Sequence, residues 1–351
     1  MKKLKLLSAI LSLILILSFA LTACDVVKID EDTESSTVKT DGETDAPEIK
    51  LDRDLEIKIS VLNGTTGFGA AKLLADAKEK KTTLNYNISV ESDAANIQAG
   101  LINGSVDIAA LPTNAAAALY NKTNGGVKIA AVNTLGVLYL MTNGTTVTSI
   151  ADLKGKTVYA PAQNPAFIFE AICRANNLTP GEDITIDTAY AQPADLRAAL
   201  VSGKVDIAVL PEPMVTIAKS ANTDLSVSLD LTEEWEKVYG ENSLMQGCIV
   251  VRTAWADSHP NELREFLKEY EESVKFTTEN PKEASELIVS GGIFAGKAAV
   301  AEKAIPKCNI VYMDSEDNIS ECLGKFFKAL YDVKPQSIGG KLPDSGLYLA
   351  K

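Results

Sequence analysis

The chain has 351 residues, 46% of them hydrophobic and 23% charged, with a formal net charge of −13 at pH 7. A chain this long with that apolar fraction can bury a sizeable core. Its acidity repels nucleic acid, and no Lys/Arg block offers a stripe that could track phosphates, so no nucleic-acid partner is expected.

The first residues set the compartment. Lys2, Lys3 and Lys5 form a positive n-region, Leu6–Ala20 is apolar, and Leu21-Thr22-Ala23-Cys24 matches the lipobox of a bacterial lipoprotein signal peptide. Small residues there let a peptidase approach, and the Cys24 thiol takes the lipid. The rival reading is a retained anchor, because the apolar stretch is near the lower limit for a spanning helix. The cysteine falls where the apolar run ends, which favours a signal over residues 1–23 and lipidation at Cys24. Either way the folded part lies outside the cytoplasmic membrane, lipid-anchored to the bacterial cell membrane on the favoured reading. Loss of residues 1–23 takes three lysines from 34 basic residues, leaving 31 against 47 acidic ones, a charge of −16. Residues 24–52 are acidic and nearly free of large apolar side chains, and read as the lipidated cysteine and a disordered tether.

Periodic structure begins at Leu55, where E-I-K-I-S-V-L alternates as a strand up to Asn63-Gly64. Thr65-Thr66-Gly67-Phe68-Gly69 reads as a tight turn and Ala70–Lys80 as a helix. A strand near Asn87–Val90 follows, then a helix ending at Gly104, a strand up to Pro112, a helix over about Thr113–Tyr120 and a strand at Val127–Val132. Leu135–Met141 is an apolar strand running toward a second lobe. Ser149–Asp152 fits a capping box, and Leu153–Ala160 starts a fresh strand, the opening of the second lobe. Asn164-Pro165 is a strong helix start, with Asn as N-cap and Pro at the first helical position. A strand at Ile184–Thr188, a helix over Pro213–Ser220 and a strand at Val227–Leu231 complete this lobe. Gln246–Arg252 is an apolar strand placed to cross back. The rest reads as mostly helical, over about Pro260–Thr277, Pro281–Ser290, Lys297–Ala304 and Glu316–Tyr331.

An internal echo organises these elements. Gln98–Pro112 (QAGLINGSVDIAALP) and Arg197–Pro211 (RAALVSGKVDIAVLP) are offset by 99 residues without a gap and agree at 9 of 15 positions. In each, a glycine suited to the left-handed position closes a helix. A short continuous apolar run follows, as expected of a strand buried on both faces, and a proline ends it. An α–β–α unit recurring at that distance points to two similar α/β lobes with a cleft between them. The expected division is 53–145 plus 246–351 for a discontinuous first lobe and 146–245 for the second, with two crossings.

The lipobox, Gly104–Ala109, Asp152-Leu153-Lys154-Gly155-Lys156-Thr157-Val158 and Gly203–Pro213, in this order, resemble a type II periplasmic solute-binding protein of an ABC importer. They are most similar to the branch that includes sulfonate, taurine, nitrate and thiamine-pyrimidine-precursor binders. The likeness spans about Leu55 to Tyr331. It implies an α/β fold of two lobes, each a mixed, mostly parallel sheet flanked by helices, with a solute in the cleft between them. It also implies delivery of that solute to ABC permease subunits for ATP-driven import, with no catalysis and no cofactor.

In open α/β sheets, ligands sit beyond the carboxyl ends of strands, where helix N-termini offer free N–H groups. Five places qualify here: Thr65-Thr66-Gly67-Phe68; Thr113-Asn114; Gln163-Asn164 with Phe167; Glu212 with Met214; and Gln246 at the return crossing. Each has an ordinary reading as well: Thr113 and Asn164 as helix caps, Phe68 as a core residue, and Glu212 as a cap of its own helix. Asp107 and Asp206 open the two echoed strands and read as local hydrogen-bonding partners. A valine at Gly67 is expected to block a solute while sparing the fold. No Arg or Lys stands among these places, so a sulfonate-like anion would rest on amide N–H groups and hydroxyls. Glu212 would instead suit a small heteroaromatic or amine-bearing solute, with Phe68 or Phe167 stacking on it.

Two other classes compete. One is an enzyme on the same fold, of the kind that makes a pyrimidine or menaquinone precursor. No H-E-x-x-H, nucleophile elbow or P-loop is present to support it, and the single histidine, His259, stands at a helix start. The other is a ligand-sensing surface lipoprotein. With Cys24 lipidated, Cys173, Cys248, Cys308 and Cys322 remain, with no C-x-x-C spacing among them; Cys308 and Cys322 read either as a disulfide or as buried thiols.

Overall fold

The computed structural model describes residues 50–350. The expected signal peptide, Cys24 and the tether up to residue 49 lie outside the described residues. Strand β1 (Glu56–Leu62) leads into α1 (Thr65–Phe68), α2 (Ala71–Lys78), β2 (Asn85–Glu91), α3 (Ala94–Asn103), β3 (Ile108–Pro112), α4 (Thr113–Thr123) and β4 (Val127–Thr134). The chain then crosses over. It forms β5 (Leu138–Thr142), β6 (Thr157–Tyr159), α5 (Asn164–Ala175), β7 (Thr185–Asp187), α6 (Pro193–Val201), β8 (Ile207–Pro211), α7 (Met214–Ala221), β9 (Ser226–Asp230) and α8 (Leu231–Tyr239). It returns through β10 (Gly247–Arg252), α9 (Thr253–Ser258), α10 (Pro260–Glu279), α11 (Pro281–Ser290), α12 (Ala298–Ala304), β11 (Ile310–Met313) and α13 (Ile319–Val333).

Two sheets result, and they share one plan. The first runs β11-β4-β10-β3-β1-β2 and the second β7-β6-β8-β5-β9. In each, the echoed strand pairs in parallel with an earlier strand of its sheet: β3 with β1, and β8 with β6. On its other side each pairs antiparallel with the strand that follows a crossing, β10 or β5. The echo is therefore the centre of each sheet, which explains why its strand residues are continuously apolar.

One core packs the first sheet against α2, α10 and α11, through Ile57, Phe68, Leu73, Phe266 and Ile288. A smaller one lies under α6 and α7 of the second sheet, with Met141, Leu196, Leu200 and Val215. The third is continuous from Leu111 and Leu119 of the first sheet's layer to Phe169, Val209 and Trp235 of the second, and includes Phe326, Phe327 and Leu330 of α13.

The sequence reading differs from this architecture in particular places. The turn at Thr65–Phe68 is one turn of helix, and Gln163, not Asn164, is the N-cap of α5. The first lobe does not run to residue 145, because β5 pairs throughout its length with β8 and β9. Nor does everything after 246 stay with the first sheet. Helix α13 packs on α5, and its Phe326 ring lies 5.7 Å from that of Trp235 on α8, so the chain visits the second lobe again before ending. Helix α8 was signalled by Asp230, whose side chain caps Thr232 N–H at 2.8 Å, followed by Glu233, Glu234 and a closing Lys237. Cys173, Cys248, Cys308 and Cys322 are all free thiols, and burial raises the Cys173 thiol to about 12.

Candidate functional site

Between the two sheets, beyond the ends of β1, β3 and β8, lies a cleft of about 610 Å³, a size suited to a small molecule. Thr65, Thr66, Asn114 and Ala115 line it from the first lobe, and Gln163, Asn164, Pro165 and Phe167 from the second. Pro112 and Pro211, the last residues of the two echoed strands, both face it. Asp93 and Lys334 are the only charged residues in its lining, and both are exposed.

The local sequence dictates these positions. Helix α1 is held at the rim by Asn133, whose amide donates to the Thr66 carbonyl at 2.9 Å and to the Tyr270 hydroxyl at 2.9 Å. Gln163 has φ 69° and ψ −131°, a region costly for any residue with a Cβ. That conformation turns the start of α5 toward the cleft. Gln246 joins the two crossing segments: its Oε1 accepts from Val137 N–H at 2.8 Å and its own N–H donates to the Thr134 carbonyl at 2.9 Å. Its side-chain oxygen is therefore committed to the hinge, although the residue also lines the cleft.

Polar satisfaction singles this cleft out. Seven buried side-chain polar atoms lack a partner among the described residues, and Asn114 Oδ1, Asn164 Oδ1 and Ser337 Oγ belong to residues lining it. Buried polar atoms are nearly always bonded. These three residues of the lining come from both lobes and the C-terminal segment, and each carries one side-chain atom without a partner among the described residues.

Seven of the twelve residues singled out from sequence line the cleft: Thr65, Thr66, Asn114, Gln163, Asn164, Phe167 and Gln246. The other five are placed elsewhere. Phe68 is fully buried, edge-on to Phe294. Gly67 is buried against it, where a Cβ would collide with the Leu62 carbonyl and approach Ile293 Cγ2 to 2.9 Å. A valine there damages the fold, contrary to the expectation from sequence. Thr113 is fully buried and its hydroxyl donates to the Met245 carbonyl.

Glu212, only 2% exposed, accepts from Thr216 N–H at 3.1 Å and from the Thr216 hydroxyl at 3.0 Å, so it caps α7. Burial raises its carboxyl above the ordinary range, against the pull of those hydrogen bonds. Met214 packs on the core beneath α7. His259 stacks on Trp255 at the junction of α9 and α10, with ring centroids 5.1 Å apart. Asp93, which caps α3 by accepting from Ala95 N–H at 2.8 Å, carries an ordinary N-cap signal that the sequence reading passed over. Lys334, Gln336 and Ser337 carry no local motif at all.

A two-lobed α/β molecule with a cleft at the strand ends defines the class of periplasmic-binding-protein folds. The profile of the NMT1/THI5-like family matches residues 80–284, and the chain belongs to that family. It is similar to a crystal structure from Parabacteroides distasonis described as an ABC transporter, at 26% identity and a TM-score of 0.70, over 84% of this chain and 99% of that one. It shares the fold of the aliphatic sulphonate binding protein SsuA from Escherichia coli (14% identity, TM-score 0.65, 84% and 92% covered). The same holds for the Candida albicans CA3427 product, described as having the generic periplasmic binding protein fold (13%, TM-score 0.54, 85% and 99%). A search of curated proteins found no match. Among the described residues, no helix is long and apolar enough to cross a membrane, and no group of His, Cys, Asp and Glu is placed to hold a metal ion.

Proposed function

We propose that this protein is the extracytoplasmic binding lipoprotein of an ABC importer: it captures a small solute in the inter-lobe cleft and delivers it to a membrane permease for ATP-driven uptake. The observation that carries the reading is the inter-lobe cleft of about 610 Å³, lined by Thr65, Thr66 and Asn114 from the first lobe and by Gln163, Asn164 and Phe167 from the second. The P. distasonis and SsuA likenesses support transport over catalysis. The lipobox at Leu21–Cys24 supports anchoring through lipid on Cys24. Closure around the solute is a shift toward a state that contacts it from both lobes. The cleft lining favours a solute bound by neutral amides and hydroxyls, with Phe167 and the prolines as its apolar walls; a sulfonate remains within reach of such a site through N–H groups.

The family name also covers biosynthetic proteins, so the enzyme reading is the alternative to beat. Non-denaturing mass spectrometry of the protein purified without added solute tests both. A single small mass retained by the fold and released unchanged on unfolding supports the carrier. Its chemical conversion on incubation supports the enzyme. A Cys24→Ser variant that leaves the membrane fraction supports the lipid anchor, and one that stays there sinks it.

A further inference from the structure

The cleft has a third wall that neither sheet supplies. After α13, which packs on α5 of the second lobe, the chain turns at Lys334 and returns to α4 of the first lobe as the 3₁₀ turn Pro335–Ile338. Lys334, Gln336 and Ser337 line the cleft along this return.

The strap is pinned to α4 at several points. Asn114 Nδ2 donates to the Ser337 carbonyl at 3.3 Å. Asn121, 8% exposed, donates through Nδ2 to the carbonyls of Ile338 at 2.7 Å and Lys341 at 2.8 Å. The Tyr120 hydroxyl donates to Asp344, and Leu349 N–H reaches the Ile129 carbonyl of β4 at 2.9 Å. Gly339, at φ +85°, allows the close approach: a Cβ there would lie 3.0 Å from Asn121 Cβ and 3.1 Å from Ala118 Cα. So many specific bonds fix the strap that its position beside the cleft is built in. Ser337 Oγ is nonetheless buried and unpartnered.

We propose, resting on the carrier reading above, that this C-terminal strap is a working wall of the solute site. The Ser337 hydroxyl bonds the captured solute beside Asn114, and Asn121 is the residue that positions it. Because the strap runs from a helix packed on one lobe to a helix of the other, it also tethers the lobes and must shift when they move. Both roles follow from one placement.

The test uses the full chain with taurine and cytosine at millimolar concentration, one probe for each ligand chemistry. Ser337→Ala and Asn121→Ala are compared with the wild type by calorimetric titration and by thermal unfolding without solute. For a probe the wild type binds, Ser337→Ala is expected to bind about tenfold more weakly, the effect of one lost hydrogen bond, with an unchanged unfolding midpoint. Equal affinity overturns the proposal. If the wild type binds neither probe, the carrier reading fails for those two chemistries, and small-angle scattering decides the strap on its own. A larger radius of gyration in Asn121→Ala supports the tether, and an unchanged one overturns it.

Discussion

The two copies of the echoed segment build the same strand and then part company. Gly104 and Gly203 both take the left-handed conformation, at φ 78° and 71°, and β3 and β8 hold the same place in their sheets. Yet Asp107 is buried, accepting from Lys58 N–H at 3.1 Å and from Arg252 at 2.8 Å, whereas Asp206 is exposed. The local role expected for both aspartates is thus replaced in the first copy by a contact 145 residues away. After the strands the difference is larger. Pro112 leads straight into α4, whose Asn114 meets the cleft; Pro211 is followed by Glu212-Pro213, and α7 starts two residues further on with Met214 away from the cleft. Repetition fixes the sheet, and the residues after each strand decide which helix start serves the site.

Substitutions at matched positions sharpen that contrast. Leu111 and Leu210 are both fully buried, so Leu→Ala at either is expected to cost about 3 kcal/mol in denaturant unfolding. A large inequality would break the structural equivalence of the copies. Asp107→Ala leaves Arg252 without its carboxylate and is expected to cost about 2–3 kcal/mol, below the range for a fully buried pair because Arg252 is partly exposed. Asp206→Ala should stay within about 0.5 kcal/mol. Gly104→Ala and Gly203→Ala are each expected to cost about 1 kcal/mol through the strained backbone, read as matching losses in midpoint.

The smallest effect concerns pH. Glu212 holds its proton to a higher pH in the folded chain than in the unfolded one, because burial disfavours its charged form. Folded protein binds more protons across that window, so this group's contribution falls as pH rises from the ordinary carboxylate range through the raised value. Glu212→Gln should flatten that slope and change stability at pH 7 by less than about 1 kcal/mol. Thr113, at the matching position after Pro112, does not titrate, so a slope that persists in Glu212→Gln would assign it to another group.

Much of this was legible in the chain. Continuous apolar runs bounded by Gly and Pro located β3 and β8, and prolines near the helix starts, Pro165 and Pro260, located α5 and α10. The rim residues Thr65, Asn114 and Asn164 followed from the rule that ligands meet helix starts beyond strand ends. That rule cannot say which way a start faces, and it therefore also selected Glu212 and Met214. Nor could composition show that Gly67 is pressed against the Leu62 carbonyl, a contact made by the fold. Ser337 and Gln336 reach the cleft only because α13 returns to the second lobe, a placement set by long-range packing with Trp235 and α5.

The central claim is that the cleft between the sheets holds a small solute through Asn114 and Asn164. The most direct measurement is the unfolding midpoint of wild type and of Asn114→Ala/Asn164→Ala against sulfonates, nitrate, pyrimidines, amines and amino acids. At 100 times its dissociation constant a true ligand adds about 2.7 kcal/mol, or several degrees. The account predicts a rise with one chemical class in the wild type that vanishes in the double variant. A rise of equal size in both proteins would place the solute elsewhere and contradict it.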